Sequence, residues 1–190
     1  METQEKIIDS ISLDISTTNF LNCESGAVTN YFVKINYGDY VESLKLIGEV
    51  NIKLINQDSE YYEGFDTFDE EGHQYGCIYN AIFDEYGEVK DDLYKNLEGV
   101  AFSQYLIIGN IKLDAEYRLK GIGSAIIKNV LDYLSGFESL VLLKSFPLEF
   151  EGNKNKKGLK QAQKNLNTFY SKNNFLLEEN EGNYIFYKEA

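Results

Sequence analysis

Leu106 to Leu134, LIIGNIKLDAEYRLKGIGSAIIKNVLDYL, is the stretch whose reading decides the arrangement of the rest of the chain. Tyr105 to Leu113 is a β-branched and aliphatic run with few polar interruptions, the pattern of a strand covered on both faces in the middle of a sheet. Ile126, Ile127, Val130, Leu131 and Leu134 recur at helical spacing and form one apolar stripe. Between strand and helix lies Arg118-Leu119-Lys120-Gly121-Ile122-Gly123. Glycines let the backbone turn tightly and approach a ligand, and a helix starting there presents unpaired N–H groups and the positive end of its dipole. Phosphate oxygens are the natural acceptors for such a turn.

Of 18 lysines and arginines, the one arginine is Arg118, at the head of this turn. A planar, permanently charged donor placed once suits a specific contact, such as an anionic ligand; the plainer alternative is a cap on the edge of the sheet. Other glycine motifs fit poorly. Ile126 stands where a dinucleotide fingerprint has its third glycine, and no Gly-Lys-Ser/Thr triplet follows as in a P-loop.

The pattern Arg-x-x-Gly-x-Gly, after a strand and Leu113-Asp114-Ala115-Glu116-Tyr117, resembles the acetyl-coenzyme A loop of the GNAT N-acetyltransferases. The likeness is specific from Tyr105 to Leu134 and extends through Lys188. Thr168-Phe169-Tyr170-Ser171-Lys172-Asn173-Asn174-Phe175 looks like the family's Phe-Tyr-x-Lys-x-Gly-Phe helix end, with Asn174 in place of the glycine. Asparagine tolerates the left-handed conformation that a helix end requires.

The resemblance implies an α/β fold, a central mixed sheet flanked by helices, with a V-shaped splay between the strands at 105–113 and 139–146. It also implies acetyl transfer from acetyl-coenzyme A, as cosubstrate and without a metal, to the primary amine of a small molecule or peptide. The amides of Leu119, Lys120, Gly121, Ile122, Gly123 and Ser124 would hold the pyrophosphate, with the Arg118 and Lys120 side chains nearby. The backbone of Ile111 and Leu113 would pair with the pantetheine and donate to the thioester oxygen. Tyr170 matches the tyrosine that donates a proton to the leaving sulfur; its alternative is a core aromatic. Many members carry a glutamate on the strand before the loop, but Gln104 to Leu113 holds no carboxylate. Glu98, Asp114 or an acidic residue between 58 and 92 is then the candidate base, directly or through water. The missing carboxylate also keeps open a binding module of the same fold that holds acyl-coenzyme A without turnover. Dimers are frequent in the family, so the resemblance raises a homodimer.

The chain's 190 residues, 43% hydrophobic with 15 tyrosines, suit one domain over residues 1–190 with a real core. A net charge of −13 opposes binding to a nucleic-acid backbone. The start METQEKIIDS lacks a basic region followed by an apolar one, and no apolar run is long enough to span a bilayer, so a cytoplasmic protein is expected. Cys23 and Cys77 are expected as free thiols, and His73 with Cys77 offers too few ligands for a metal.

Strands are expected at Ile7 to Ile15, Asn30 to Tyr37 and Ser43 to Ile55, the last with Leu44, Leu46, Gly48, Val50, Ile52 and Leu54 on one side and a bulge at Gly48. Helices are expected over 73–84 and 89–97. The stretch from Asp58 to Asp92 is acidic and threaded with aromatics. It is either a solvated face whose rings belong to the core, the reading we favour, or a mouth for a cationic acceptor. Ser139 to Phe146 reads as a buried strand stopped by Pro147, Leu159 to Lys172 as a helix, and Phe175 to Glu178 with Asn183 to Tyr187 as a hairpin. Lys154, Lys156, Lys157, Lys160 and Lys164 form a basic cluster, read chiefly as solvated surface and otherwise as a partner for the ribose phosphate of coenzyme A.

Overall fold

The computed structural model describes residues 10–17, 27–60, 62–91, 93, 102–135, 139–150 and 157–189. Its frame is a seven-stranded mixed sheet in the order β1-β2-β3-β4-β5-β7-β6. The strands are β1 (Ile11–Thr17), β2 (Val28–Tyr37), β3 (Lys45–Asn56), β4 (Gln104–Leu113), β5 (Ser139–Ser145), β6 (Leu176–Asn180) and β7 (Asn183–Glu189). All neighbours pair antiparallel except β4 and β5, which run parallel. The helices are α1 (Phe65–Glu70), α2 (His73–Ile82), α3 (Ile122–Leu134) and α4 (Leu159–Lys172). Among the described residues no helix is long and apolar enough to cross a membrane.

Alternation along the strands sends side chains to opposite faces, and each face builds its own core. On one face Leu106, Ile108, Val141 and Leu143 meet Ile126, Ile127 and Val130 of α3 and Tyr170 of α4. On the other, Tyr105, Ile107, Leu140 and Leu142 meet Phe68 of α1 and Tyr75, Ile78, Tyr79 and Ile82 of α2. Both faces of the central strands are therefore covered, which is why β4 reads as an unbroken apolar run. The expected mixed sheet with flanking helices is the observed one.

The acidic stretch resolves in favour of the solvated face. Phe68, Tyr75, Tyr79 and Phe83 are buried, while Asp58, Glu60, Glu63, Asp66, Asp69, Glu70, Glu85 and Glu88 are exposed. Phe68, Tyr79, Phe83 and Tyr105 form a chain of tilted and edge-on ring contacts, the stacking geometry that aromatic quadrupoles prefer. The short helix α1 was not foreseen, and most of the helix expected over 89–97 lies outside the described residues. Cys23, Glu98, Lys154 and Lys156 also lie outside them.

Irregularities in β3 and β4 shape the centre of the molecule. Ile35 faces Gly48 and Asn36 faces Leu46, so β3 carries one extra residue, Ile47, between them. The bulge expected at Gly48 is present, and it corrects the expected face. Ile47 turns into the core at 0% exposure beside Val50 and Ile52, while Leu46 is left 54% exposed. A Cβ at Gly48 would lie 2.3 Å from the Lys112 carbonyl oxygen and 2.9 Å from Leu113 Cδ2. Because the first obstacle is backbone, Gly48→Ala must push β3 and β4 apart. A loss of about 2–3 kcal/mol, or roughly 5–10 °C in Tm, is expected by scanning calorimetry; an unchanged Tm would mean that the pair opens freely there.

A second bulge lies in β4. Val50 pairs with Ile111 and Ile52 with Ile108, so Gly109 and Asn110 together oppose Asn51. The parallel pairing with β5 ends at the same point, with Ile108 opposite Leu143, although β4 continues to Leu113. Beyond Ile108 the two strands part, which gives the expected splay and leaves one edge of residues 109–113 without a strand partner among the described residues.

Candidate functional site

The turn after β4 is held from both ends. Asp114 N donates to the Ile47 carbonyl at 2.9 Å, Arg118 N to Ala115 O at 3.3 Å and Ala125 N to Gly121 O at 3.1 Å. Between the last two, the amides from Leu119 to Ser124 have no backbone acceptor among the described residues. Gly121, the cap residue of α3, has φ +81°, and Leu119 has φ +60°. Left-handed residues alternating with others fold successive N–H groups toward one side, a concavity suited to an anion. Leu119 pays steric strain of about 1–2 kcal/mol to hold this shape, with its side chain fully in solvent at 106% exposure.

Arg118 serves partly as the edge cap. Its Nε donates to the Leu113 carbonyl at 2.8 Å, while its remaining guanidinium donors have no partner among the described residues. The outer side of the turn is pinned by Tyr117, whose ring stacks 5.4 Å from that of Tyr37. Lys45 Nζ lies 5.2 Å and Lys120 Nζ 5.6 Å from the Tyr117 ring centroid. Lys45 also donates to Glu116 at 2.6 Å, which raises the ammonium pKa and lowers that of the carboxyl.

The turn opens onto a cleft of about 1210 Å³ that passes through the gap between β4 and β5. One wall is the open edge of residues 109–113; the other is Lys144 and Phe146–Glu149. Asn165, Leu166, Phe169 and Tyr170 of α4 close it on one face of the sheet, and Gln74, Tyr75 and Ile78 of α2 on the other. Lys112, Lys144, Arg118, Glu49, Asp114 and Glu149 are its charged lining residues. Glu49 is engaged by Lys112, Oε1 to Nζ 2.9 Å. None of the described acidic residues between 58 and 92 lines the cleft, so an acidic mouth for a cationic acceptor is not built from that stretch among the described residues.

Tyr170 lies at the junction. Its ring is 7% exposed and packs against Phe169, Phe175 and Phe186 at centroid distances of 5.2, 5.9 and 5.3 Å. Its hydroxyl makes no hydrogen bond among the described residues, yet the residue lines the cleft. Burial pushes its pKa up to about 12, so it keeps its proton throughout the neutral range. Core aromatic and cleft hydroxyl are here the same side chain. Just beyond it Asn174 has φ +64° and Phe175 N returns to Tyr170 O at 3.2 Å, the helix ending for which asparagine replaces glycine.

Of the residues singled out in the sequence, Ile111, Leu113, Arg118, Leu119, Gly121, Gly123, Ser124 and Tyr170 line the cleft. Two do not. The Lys120 Nζ lies over the Tyr117 ring, and the Ile122 side chain is fully buried in the core, which leaves Ile122 its amide alone. The reason for Gly123 also changes: a Cβ there would meet Phe169 Cζ at 3.1 Å, so its smallness serves the contact of α3 with α4. Glu49, Lys112 and Lys144 were missed, because only the register of β3 on β4 and the end of the β4–β5 ladder bring them to the cleft. His73 and Cys77 stand one turn apart on α2 with Cys77 Sγ 3.6 Å from His73 Nε2. No third Asp, Glu, Cys or His joins them among the described residues.

No family model and no curated protein matches the chain. Among solved structures it is similar to the Bacillus subtilis N-acetyltransferase YlbP in complex with coenzyme A, at 15% identity over 85% of this chain and 69% of that one, TM-score 0.41. It is similar to Arabidopsis thaliana NAA60 in complex with acetyl-CoA, at 15% identity over 93% and 98% of the two chains, TM-score 0.43. A third similar structure is AtaTR bound with AcCoA, at 9% identity over 95% and 94%, TM-score 0.45.

Proposed function

We propose that this chain is an acetyl-coenzyme A-dependent N-acetyltransferase of the GNAT kind, acting on the primary amine of a small molecule or peptide. The observation that carries the reading is the meeting, in one cleft, of unpaired amides before α3, a strand edge left open beyond Ile108, and the protonated hydroxyl of Tyr170.

Acetyl-coenzyme A supplies an activated acyl group. Its transfer to nitrogen requires a neutral amine, donors at the carbonyl oxygen and a proton for the departing sulfur. The amides of Leu119 to Ser124, with the free donors of Arg118, bind the pyrophosphate. The backbone of Ile111 and Leu113 lies on the open edge and takes the pantetheine as an added strand, with an N–H left for the carbonyl oxygen. Tyr170 holds its proton where a leaving group must receive one. With no carboxylate on β4, the amine's proton leaves through water toward the wall carboxylates Asp114, Glu149 or Glu49. That same missing carboxylate favours the second reading, a module that binds acyl-coenzyme A without turnover.

Calorimetric titration with acetyl-coenzyme A and coenzyme A, followed by thiol release against polyamines, amino sugars and lysine peptides, separates these readings. Binding of both ligands with thiol release on one amine class is expected. Binding without release on any amine would favour the second reading, and no binding at millimolar ligand would overturn both.

A further inference from the structure

We propose that a second hollow, between α4 and the β6–β7 turn, is a separate binding site for a small ligand bearing an oxyanion, a phosphate or a carboxylate. It measures about 540 Å³, within the range of small-molecule sites. Lys144 at the end of β5 and Lys160 and Lys164 of α4 all line it, and no carboxylate among the described residues does. In a chain of net charge −13, that is a local reversal of sign. None of these ammonium groups has a carboxylate partner among the described residues. Like charges sharing a partly enclosed space repel, and an anion between them removes that cost.

The floor of the hollow is built and polar. Gln163 is 9% and Ser145 2% exposed. Gln163 Nε2 lies 2.9 Å from Ser145 Oγ, 3.2 Å from Ser145 O and 2.7 Å from Asn167 Oδ1, and Ser145 Oγ donates to Asn167 Oδ1 at 3.2 Å. This network uses up the Asn167 oxygen and leaves its Nδ2 donors without a partner among the described residues, as is the Tyr184 hydroxyl on the opposite wall. Side-chain amides locked by their neighbours present their groups at fixed positions, and with the three lysines counted the unspent groups here are donors apart from the Gln163 Oε1 acceptor and the Tyr184 hydroxyl, which can do either. The chemistry that such a lining recognises is an oxyanion.

The hollow is distinct from the cleft proposed for coenzyme A. That cleft uses Ala162, Asn165, Leu166 and Phe169 of α4, whereas the hollow uses Lys160, Gln163, Lys164 and Asn167 on another face of the helix. Lys160 and Lys164 do not line the cleft. The cavities share only Lys144 and Phe146.

The test is titration of the full chain with inorganic phosphate, citrate and, as a cationic control, spermidine, at constant ionic strength set with sodium chloride. Phosphate or citrate is expected to bind, with shifts of the Gln163 and Asn167 side-chain amide resonances. The double substitution Lys160→Gln with Lys164→Gln is expected to weaken binding about tenfold or more. Lys128→Gln, an exposed lysine of α3, and Gly121→Asp should leave it unchanged. The inference is overturned if neither anion binds at ~10 mM, if the double variant binds as the parent does, or if Gly121→Asp abolishes the anion binding.

Discussion

Gly121→Asp is expected to abolish binding of coenzyme A and acetyl-coenzyme A, by at least about 100-fold in Kd, while the protein stays folded by circular dichroism. The new side chain would sit at the cap of α3, beside the unpaired amides that the proposed reading gives to the pyrophosphate. A carboxylate there repels an anionic ligand and competes for the same N–H groups. Its effect on folding is the balance of opposing terms. A non-glycine residue at φ +81° costs about 1–2 kcal/mol, whereas a side-chain acceptor at a helix cap contributes roughly 0.5–2 kcal/mol.

Strain and charge can be separated by two companions. Gly121→Ala imposes the left-handed strain without the carboxylate and is expected to lower affinity far less. Gly158→Asp makes the same chemical change at the cap of α4, where φ is +90°, at a position off the cleft. It should leave coenzyme affinity unaltered. Parental affinity in Gly121→Asp would remove the turn from the phosphate site, and equal losses in Gly121→Asp and Gly158→Asp would assign the effect to backbone strain.

The sequence was legible wherever a local pattern decides the structure. The α3 stripe, the α4 helix with its asparagine ending and the unbroken apolar run of β4 each follow from short-range periodicity or from one residue's backbone preference. The turn was legible for the same reason, since Gly121 adopts the positive φ that a glycine there suggests. What could not be read depends on register. Ile47 reverses the alternation of β3 at a bulge whose place Gly48 signals but whose effect on register it does not, and the expected face slipped with it. Glu49 reaches the cleft wall only because it faces Lys112 across the β3–β4 ladder. Gly123 reads as a ligand-approach glycine and lines the cleft, but its second constraint, the close approach of Phe169, comes from far along the chain. The acidic stretch offered charge and rings without saying which point inward; packing of Phe68 and Tyr79 under the sheet decides it.

Tyr170→Phe is expected to lower kcat about 100-fold while leaving the affinity for acetyl-coenzyme A and the thermal stability nearly unchanged. The split follows from how the side chain is held. Its ring contacts with Phe169, Phe175 and Phe186 are kept by phenylalanine, so the core sees no loss of volume. The hydroxyl has no hydrogen-bond partner among the described residues, so its removal orphans no buried group. A purely structural tyrosine would therefore show almost no phenotype as phenylalanine, and a fall in kcat with KM unmoved would report an interaction made only as the acyl group departs. Tyr170→Ala, by contrast, should cost about 3–5 kcal/mol of stability through the cavity it leaves. The pH profile adds an independent reading. The protonated form is the donor, and burial raises its pKa to about 12, so the activity it supports persists as pH rises through the ordinary tyrosine range near 10 and falls only on approach to 12. An alkaline limb near 10 that vanishes in Tyr170→Phe would show a hydroxyl less desolvated than its packing requires, and parental kcat in that variant would return Tyr170 to the core alone.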